Sequence, residues 1–306
     1  NFFKKKNVCT SKKKIQRIQD CTKLHSIGSH KGSSSINKAS IKKIRNNLME
    51  AEDWRGLATN YEGNILSVYD NDQSGKIKSI IKNLGTKKER AVDLGCGTGK
   101  FLPLLSNHFK SVQAFDYSEE MINAAKQSHQ HLKNLSLSVY DLRTSSPKFK
   151  PSDMALCINV ILSPSISDRE KIWRNVRKSI RTGGFLVLVT PSLESSLYSK
   201  HRLVEWNIRN GNTSSQALTE GFDTKDKDGK IISRGGIINC GGVATKHYLK
   251  EELICLATRF GFKIKSTKKI TYPWSTEFSN PPKWMKSPLP WDWLMLLEKK
   301  ILGPVD

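Results

Sequence analysis

The sequence predicts an α/β protein: a Rossmann-like, seven-stranded, mostly parallel sheet with helices on both faces, an antiparallel last strand and a lid insertion after strand five. Three observations carry this. Apolar strands alternate with amphipathic helices between residues 76 and 190. One strand breaks, within Val92-Asp93-Leu94-Gly95-Cys96-Gly97-Thr98-Gly99, into three glycines at alternate positions, and Asp116 and Asp141 stand where the next two strands end. Strands separated by helices imply βαβ units, hence a parallel sheet whose ligand crevice lies outside the carboxyl ends of the strands.

Taken in order, Lys76 to Leu84 sets Ile77, Ile80, Ile81 and Leu84 at helical spacing before Gly85 stops the helix. Ala91 to Leu94 is the first strand, and Lys100 to Phe109 the helix after the glycines, with Pro103 tolerated in its first turn. Ser111 to Phe115 is the second strand. Ser118 then caps a helix with Glu119 and Glu120 in its first turn and Met121, Ile122 and Ala125 facing inward. Leu135 to Tyr140 is the third strand and Met154 to Leu162 the fourth; Asp168 opens a helix carrying Ile172, Val176 and Ile180. Thr182-Gly183-Gly184 turns the chain into a fifth strand, Phe185 to Thr190.

Between Ser192 and Lys246 the alternation stops. A helix from Ser195 to Arg209 leads into a glycine-rich stretch with an Asp228-Gly229 turn suited to joining two short strands. An insertion of this length reads as a lid or substrate-recognition segment. Its likeness to a calcium loop fails, because Thr224 and Gly235 occupy the first and twelfth ligand positions. Beyond Lys250 come a helix through Leu253, Leu256 and Phe260, a sixth strand Phe262 to Ile270 and a seventh, Trp291 to Glu298. The last two are joined without a helix, through a loop rich in Pro and Trp, which makes them antiparallel.

The 306 residues carry 51 basic and 28 acidic side chains, net +23, a balance that attracts polyanions or anionic surfaces. Residues 1–50 alone hold 13 basic residues against Asp20 and Glu50. Residues 1–46 therefore read as a basic, largely unstructured tail, and 47–306 as the folded domain. A targeting remnant, a nucleic-acid-binding arm and plain solubilising sequence all fit the tail. The six cysteines are scattered, with no C-x-x-C pair, so neither a zinc site nor a disulfide framework is indicated, and no metal is expected. No apolar stretch approaches the ~20 residues that span a bilayer. The expectation is an intracellular protein, cytoplasmic or organellar.

These features together resemble the class I S-adenosylmethionine-dependent methyltransferases. Val92 to Gly99 is similar to motif I, Phe115-Asp116-Tyr117-Ser118 with Met121 to motif II, Tyr140-Asp141-Leu142 to motif III and Met154 to Leu162 to motif IV, in the family's order. The resemblance implies S-adenosylmethionine as cofactor. It implies that Asp116 holds the ribose hydroxyls, that Asp141 and the Leu142 backbone face the adenine edge, that Tyr117 and Met121 pack on the ring, and that Asp93 with Gly95, Cys96, Gly97 and Gly99 holds the methionine end. Negative charge suits a sulfonium, whereas a phosphate wants the opposite field. Asp116 and Asp141 also fit as simple strand-end carboxylates, Asn159 as a cofactor or substrate contact or as a satisfied core amide, and Cys96 as a small filler.

Methyl transfer is an in-line displacement that needs alignment more than any one catalytic group. Where a base helps, His247-Tyr248 is the first pair to consider, with a helix-capping histidine as the plainer reading. Tyr61 is placed to cover the cofactor, and Glu205, Trp206 and Trp284 to line the acceptor pocket, or each to pack ordinarily. A small-molecule or lipid-like acceptor leads, because the insertion and the Trp/Pro loop offer an enclosed apolar pocket. RNA or a protein tail is the alternative that the charge favours. A nicotinamide-dependent Rossmann enzyme fits Asp116 but not the glycine spacing.

Overall fold

The computed structural model describes residues 67–86, 89–144, 150–222, 234–240 and 243–300. The basic tail, Tyr61 and the Asp228-Gly229 turn lie outside the described residues.

The elements run α1 (Val68–Asn71), α2 (Lys76–Gly85), β1 (Arg90–Leu94), α3 (Leu102–His108), β2 (Ser111–Asp116), α4 (Glu119–His129), β3 (Leu135–Val139), β4 (Ser152–Ile158), α5 (Ile166–Lys178) and β5 (Ile180–Pro191). Then follow α6 (Leu193–Arg209), α7 (Ser214–Phe222), β6 (Ile237–Cys240), β7 (Val243–Lys246), α8 (Lys250–Arg259), β8 (Phe262–Thr271) and β9 (Trp291–Lys299). Seven strands form one sheet in the order β3-β2-β1-β4-β5-β9-β8. β1 to β5 pair in parallel, while β9 runs antiparallel to both β5 and β8. The predicted sheet, including its one reversed strand, is the observed one.

Helices cover both faces. Ile77 and Ile81 of α2, Leu102 and Leu105 of α3 and Ala125 of α4 pack on one side with Ala91, Val112, Val187 and Leu294. Ile172, Trp173 and Val176 of α5 and Leu253 and Ala257 of α8 pack on the other with Val92, Leu186, Leu188 and Met295. Strands read as continuous apolar runs because they are buried from both sides. A third cluster, Trp274, Phe278 and Met285, lies under α6.

Several boundaries differ from the sequence reading, each for a physical reason. α5 starts at Ile166, where Ser165 Oγ accepts the Asp168 N–H at 3.3 Å, and it ends at Lys178, so Ile180 belongs to β5. Thr182-Gly183-Gly184 is a bulge inside β5 rather than a turn before it: the register jumps from Ser152↔Ile180 to Met154↔Phe185. A side chain at Gly184 would sit 2.9 Å from the Asp153 carbonyl, which fixes a glycine there. β4 stops at Ile158, because Asn159 takes a left-handed φ of 54°. In the insertion β6 pairs antiparallel with β7, from Ile237↔Lys246 to Cys240↔Val243.

Candidate functional site

The site grows from the turn after β1. Gly95, Gly97 and Gly99 all take positive φ, 74°, 53° and 87°. Glycine adopts this backbone without the penalty that a Cβ brings. At Gly95 a Cβ would also collide with the Val160 side chain, and at Gly99 it would come within 2.9 Å of the His129 ring. The turn is laced to the end of β2: Gly95 N–H and Cys96 N–H both donate to the Phe115 carbonyl, at 2.7 and 2.9 Å.

Asp116, 8% exposed, completes the lacing. Its Oδ2 accepts the Gly97 N–H at 2.9 Å and its Oδ1 the Ser118 N–H at 3.0 Å. Burial raises its pKa and these N–H donors partly offset the rise. Each oxygen keeps a further lone pair, so the carboxylate is fixed in place yet still able to accept two hydroxyl donors. Ser118 Oγ caps α4 by accepting the Met121 N–H at 3.2 Å, which seats the buried Met121 behind the crevice. Tyr117 lies between Asp116 and Ser118 in the same turn.

Asp93, inside β1, is buried, and among the described residues no hydrogen-bond donor reaches its carboxylate. Burial, with the Asp116 charge adding to it, pushes this carboxyl up to about 7. Cys96 is held as a neutral thiol, pushed up by burial and by both aspartates, with Sγ donating weakly to the Gly97 carbonyl at 3.6 Å. That fits a filler and not a nucleophile. Asn159, at the mouth of the neighbouring β4, donates its backbone N–H to Val189 at 3.0 Å, while its Oδ1 is buried without a partner. It is therefore not a satisfied core amide; it is an acceptor facing a missing donor.

After β3, Asp141 is engaged by Arg143, whose Nε donates to both carboxylate oxygens at 3.1 and 3.0 Å and whose backbone N–H adds a bond of 2.8 Å. Contact between Asp141 and a ligand therefore requires sharing it with Arg143. The loop is pinned from α5 by Asn175, 3% exposed, whose Nδ2 donates to the Leu142 and Thr144 carbonyls at 2.8 and 2.6 Å. Sequence reasoning missed Asn175, although a lone amide between Ile172 and Val176 on an apolar helix face was a signal. It also missed His129, whose Nε2 lies 3.2 Å from the Thr98 carbonyl.

The second candidate pair behaves differently. Segment 246–248 threads between the loops after β4 and β5: Lys246 N–H donates to Leu162 and Tyr248 N–H to Pro191, each at 2.9 Å. Tyr248 is fully buried and its hydroxyl donates to the Ile161 carbonyl at 2.6 Å. Burial raises its pKa, so the proposed acid–base role of Tyr248 gives way to a structural one. His247 is partly exposed; desolvation, with Lys246 and Lys200 nearby, lowers it to about 4, leaving a neutral imidazole of low basicity.

Glu205, Trp206 and Trp284 do come together, but as packing. Glu205 accepts from Arg202 at 2.6 Å and from Arg209 at 2.7 Å. The Trp284 ring lies 4.9 Å from the Arg202 guanidinium and 4.1 Å from that of Arg209, and Trp206 meets Phe278 edge-on. These contacts fasten α6 to the loop before β9.

A glycine turn and two buried acids at the carboxyl edge of a parallel sheet define the ligand end of a Rossmann-like fold. Residues 91–184 match the family described as "Methyltransferase domain". The fold is shared with a SAM-dependent methyltransferase from Methanosarcina mazei, at 20% identity and TM-score 0.50 over 73% of this chain and 98% of that one. It is also shared with an S-adenosylmethionine-dependent methyltransferase from Mesorhizobium loti, at 16% identity and TM-score 0.53 over 76% and 100%. A curated ubiquinone biosynthesis O-methyltransferase from Coxiella burnetii is 24% identical over 127 residues, 40% of this chain and 53% of the relative. The chain thus spans about half the length of the curated relatives it matches. Residues 91–184 are therefore similar to a methyltransferase domain, on a fold shared with S-adenosylmethionine-dependent methyltransferases.

Proposed function

We propose that the crevice above β1, β2 and β4 binds S-adenosylmethionine and that the protein methylates a small-molecule acceptor. The observation that carries the cofactor assignment is the donor–acceptor balance of the site. Asp93, Asp116 and Asn159 Oδ1 offer acceptors and negative charge around the three glycines, and no basic side chain is ion-paired to either aspartate among the described residues. That set fits a cation bearing a ribose diol and an ammonium group. A dinucleotide pyrophosphate would instead seek N–H donors free of competing carboxylates.

In this reading Asp116 accepts the ribose hydroxyls, Asp93 and Asn159 take the ammonium end, and Met121 and Tyr117 back the adenine. S-adenosylmethionine supplies an electrophilic methyl group when bound. The chain's own part is to hold the reactants in line and exclude water; the segment 246–248, clamped by Tyr248, supports that by closing the edge between β4 and β5. The insertion serves as the lid. The Trp- and Pro-rich loop packed under α6 favours a small molecule, as does the name of the Coxiella relative. RNA is the second reading, favoured by the exposed lysines of edge strand β8, Lys263, Lys265, Lys268 and Lys269; lysines there also guard an open sheet edge against pairing.

Incubation of the full chain with methyl-labelled cofactor and a cell extract tests this. Label is expected in the small-molecule fraction; label confined to RNA or protein would overturn the acceptor assignment.

A further inference from the structure

The inward side of α4 carries one residue that packing alone does not explain. Met121, Ile122 and Ala125 are buried there, and four residues past Ala125, on the same side of the helix, stands His129. Its Nε2 lies 3.2 Å from the Thr98 carbonyl oxygen, so the ring donates there with its proton on Nε2. Nδ1 is buried and has no partner, which leaves the Thr98 contact as the ring's one hydrogen bond among the described residues. An apolar side chain of similar size would spare the cost of that orphaned nitrogen. What the histidine adds is the bond from its other nitrogen.

That bond holds the end of the glycine turn. Gly95, Cys96 and Gly97 are tied to β2 through the Phe115 carbonyl and the Asp116 carboxylate, whereas Thr98 is tied to α4. Gly99, at a φ of 87°, lets the ring approach: a Cβ there would lie 2.8 Å from His129 Cδ2 and 2.9 Å from Nε2. At its other end α4 meets the acid assigned to the ribose, since Ser118, its N-cap, donates its N–H to Asp116 Oδ1 at 3.0 Å. One helix of 11 residues thus reaches the site twice, at Asp116 and at the third glycine. A backbone shift at Thr98 and Gly99 would move the methionine end of a bound cofactor relative to its nucleoside.

We propose that His129 is a positioning residue for the methionine end of S-adenosylmethionine, acting through the Thr98 carbonyl and the Gly99 backbone rather than by touching the cofactor. The proposal rests on the function above for the identity of that ligand.

Calorimetric titration of the full chain, as wild type, His129→Ala and His129→Gln, with S-adenosylhomocysteine and with 5′-methylthioadenosine tests it. The second ligand keeps the nucleoside and lacks the amino-acid end. His129→Ala should weaken S-adenosylhomocysteine ~5-fold, the worth of one hydrogen bond, and methylthioadenosine less than ~2-fold. His129→Gln, whose amide N–H reaches the same place, should restore most of the difference. In the ligand-free His129→Ala protein, the hydrogen-bonded amides of Gly97, Gly99 and Leu102 should exchange with deuterium faster than in the wild type, with the middle of α4 unchanged. Should His129→Ala not fold, His129→Leu, which fills the space without donating, takes its place. Equal weakening of both ligands, unchanged affinity for both, or a glutamine variant as weak as the alanine one overturns the positioning role and leaves the methyltransferase reading standing. Failure of the wild type to bind S-adenosylhomocysteine removes that reading instead, while the exchange comparison still decides whether His129 holds the turn.

Discussion

The two halves of the crevice are built on opposite plans. On the β1–β2 side, the polar groups are fixed by backbone: three glycines in left-handed conformations, with N–H groups tied to Phe115 and Asp116. On the β5–β9 side, they are fixed by side chains: Tyr272 on Asp292 and Tyr248 on Ile161 across distant segments, and Arg202 and Arg209 on Glu205 within α6. The first plan suits a cofactor that never changes, since backbone geometry leaves little to vary. The second can be altered residue by residue, as a surface that selects an acceptor must be.

The largest effect should come from the backbone plan. Gly95→Ala forces a Cβ into a left-handed position, at about 1–2 kcal/mol from conformation alone, and against Val160 as well. Loss of measurable S-adenosylhomocysteine binding and a lower melting temperature are expected; normal affinity would mean that the turn tolerates a side chain and that backbone does not define this half.

The second effect is in pH. Asp93 and Asp292 are both held up to about 7, above their unfolded values near 4. The folded state then binds more protons than the unfolded one between those values, so the ligand-free protein should lose thermal stability as pH rises from about 4 to about 7 and level off above. Asp93→Asn should raise the melting temperature at pH 8. A cation in the crevice favours the ionised Asp93, so S-adenosylmethionine affinity should rise severalfold from pH 6 to pH 8 in the wild type and less in Asp93→Asn. An equal rise in both would place the titrating group elsewhere.

The smallest effect is on the side-chain plan. Glu205→Gln removes two partly exposed ion pairs, worth at most about 1 kcal/mol each. Melting should shift slightly and cofactor affinity not at all; a large loss of affinity would show that the halves are not separate.

The same contrast explains what the sequence revealed. Glycine spacing and strand-end acids are local signals, so Gly95 to Gly99 and Asp116 could be read directly. Asp292 gains its meaning from Tyr272, twenty residues away, a pairing that leaves no local trace. Asp141 looked like Asp116 in sequence, yet Arg143 two residues on claims it in the structure. The bulge in β5 was misread because Thr182-Gly183-Gly184 looks like a turn whether or not strand pairing resumes on both sides. Tyr248 seemed a candidate base because nothing local shows that its hydroxyl points into the core.

The most direct test is calorimetric titration of wild type and Asp116→Ala with S-adenosylhomocysteine and with NAD. If the buried carboxylate behind Gly97 holds the ribose of this cofactor, the wild type binds S-adenosylhomocysteine and not NAD, and Asp116→Ala weakens that binding at least ~10-fold through loss of charge-assisted hydrogen bonds. Binding of NAD instead, or an Asp116→Ala protein that binds S-adenosylhomocysteine as tightly as the wild type, would contradict the account.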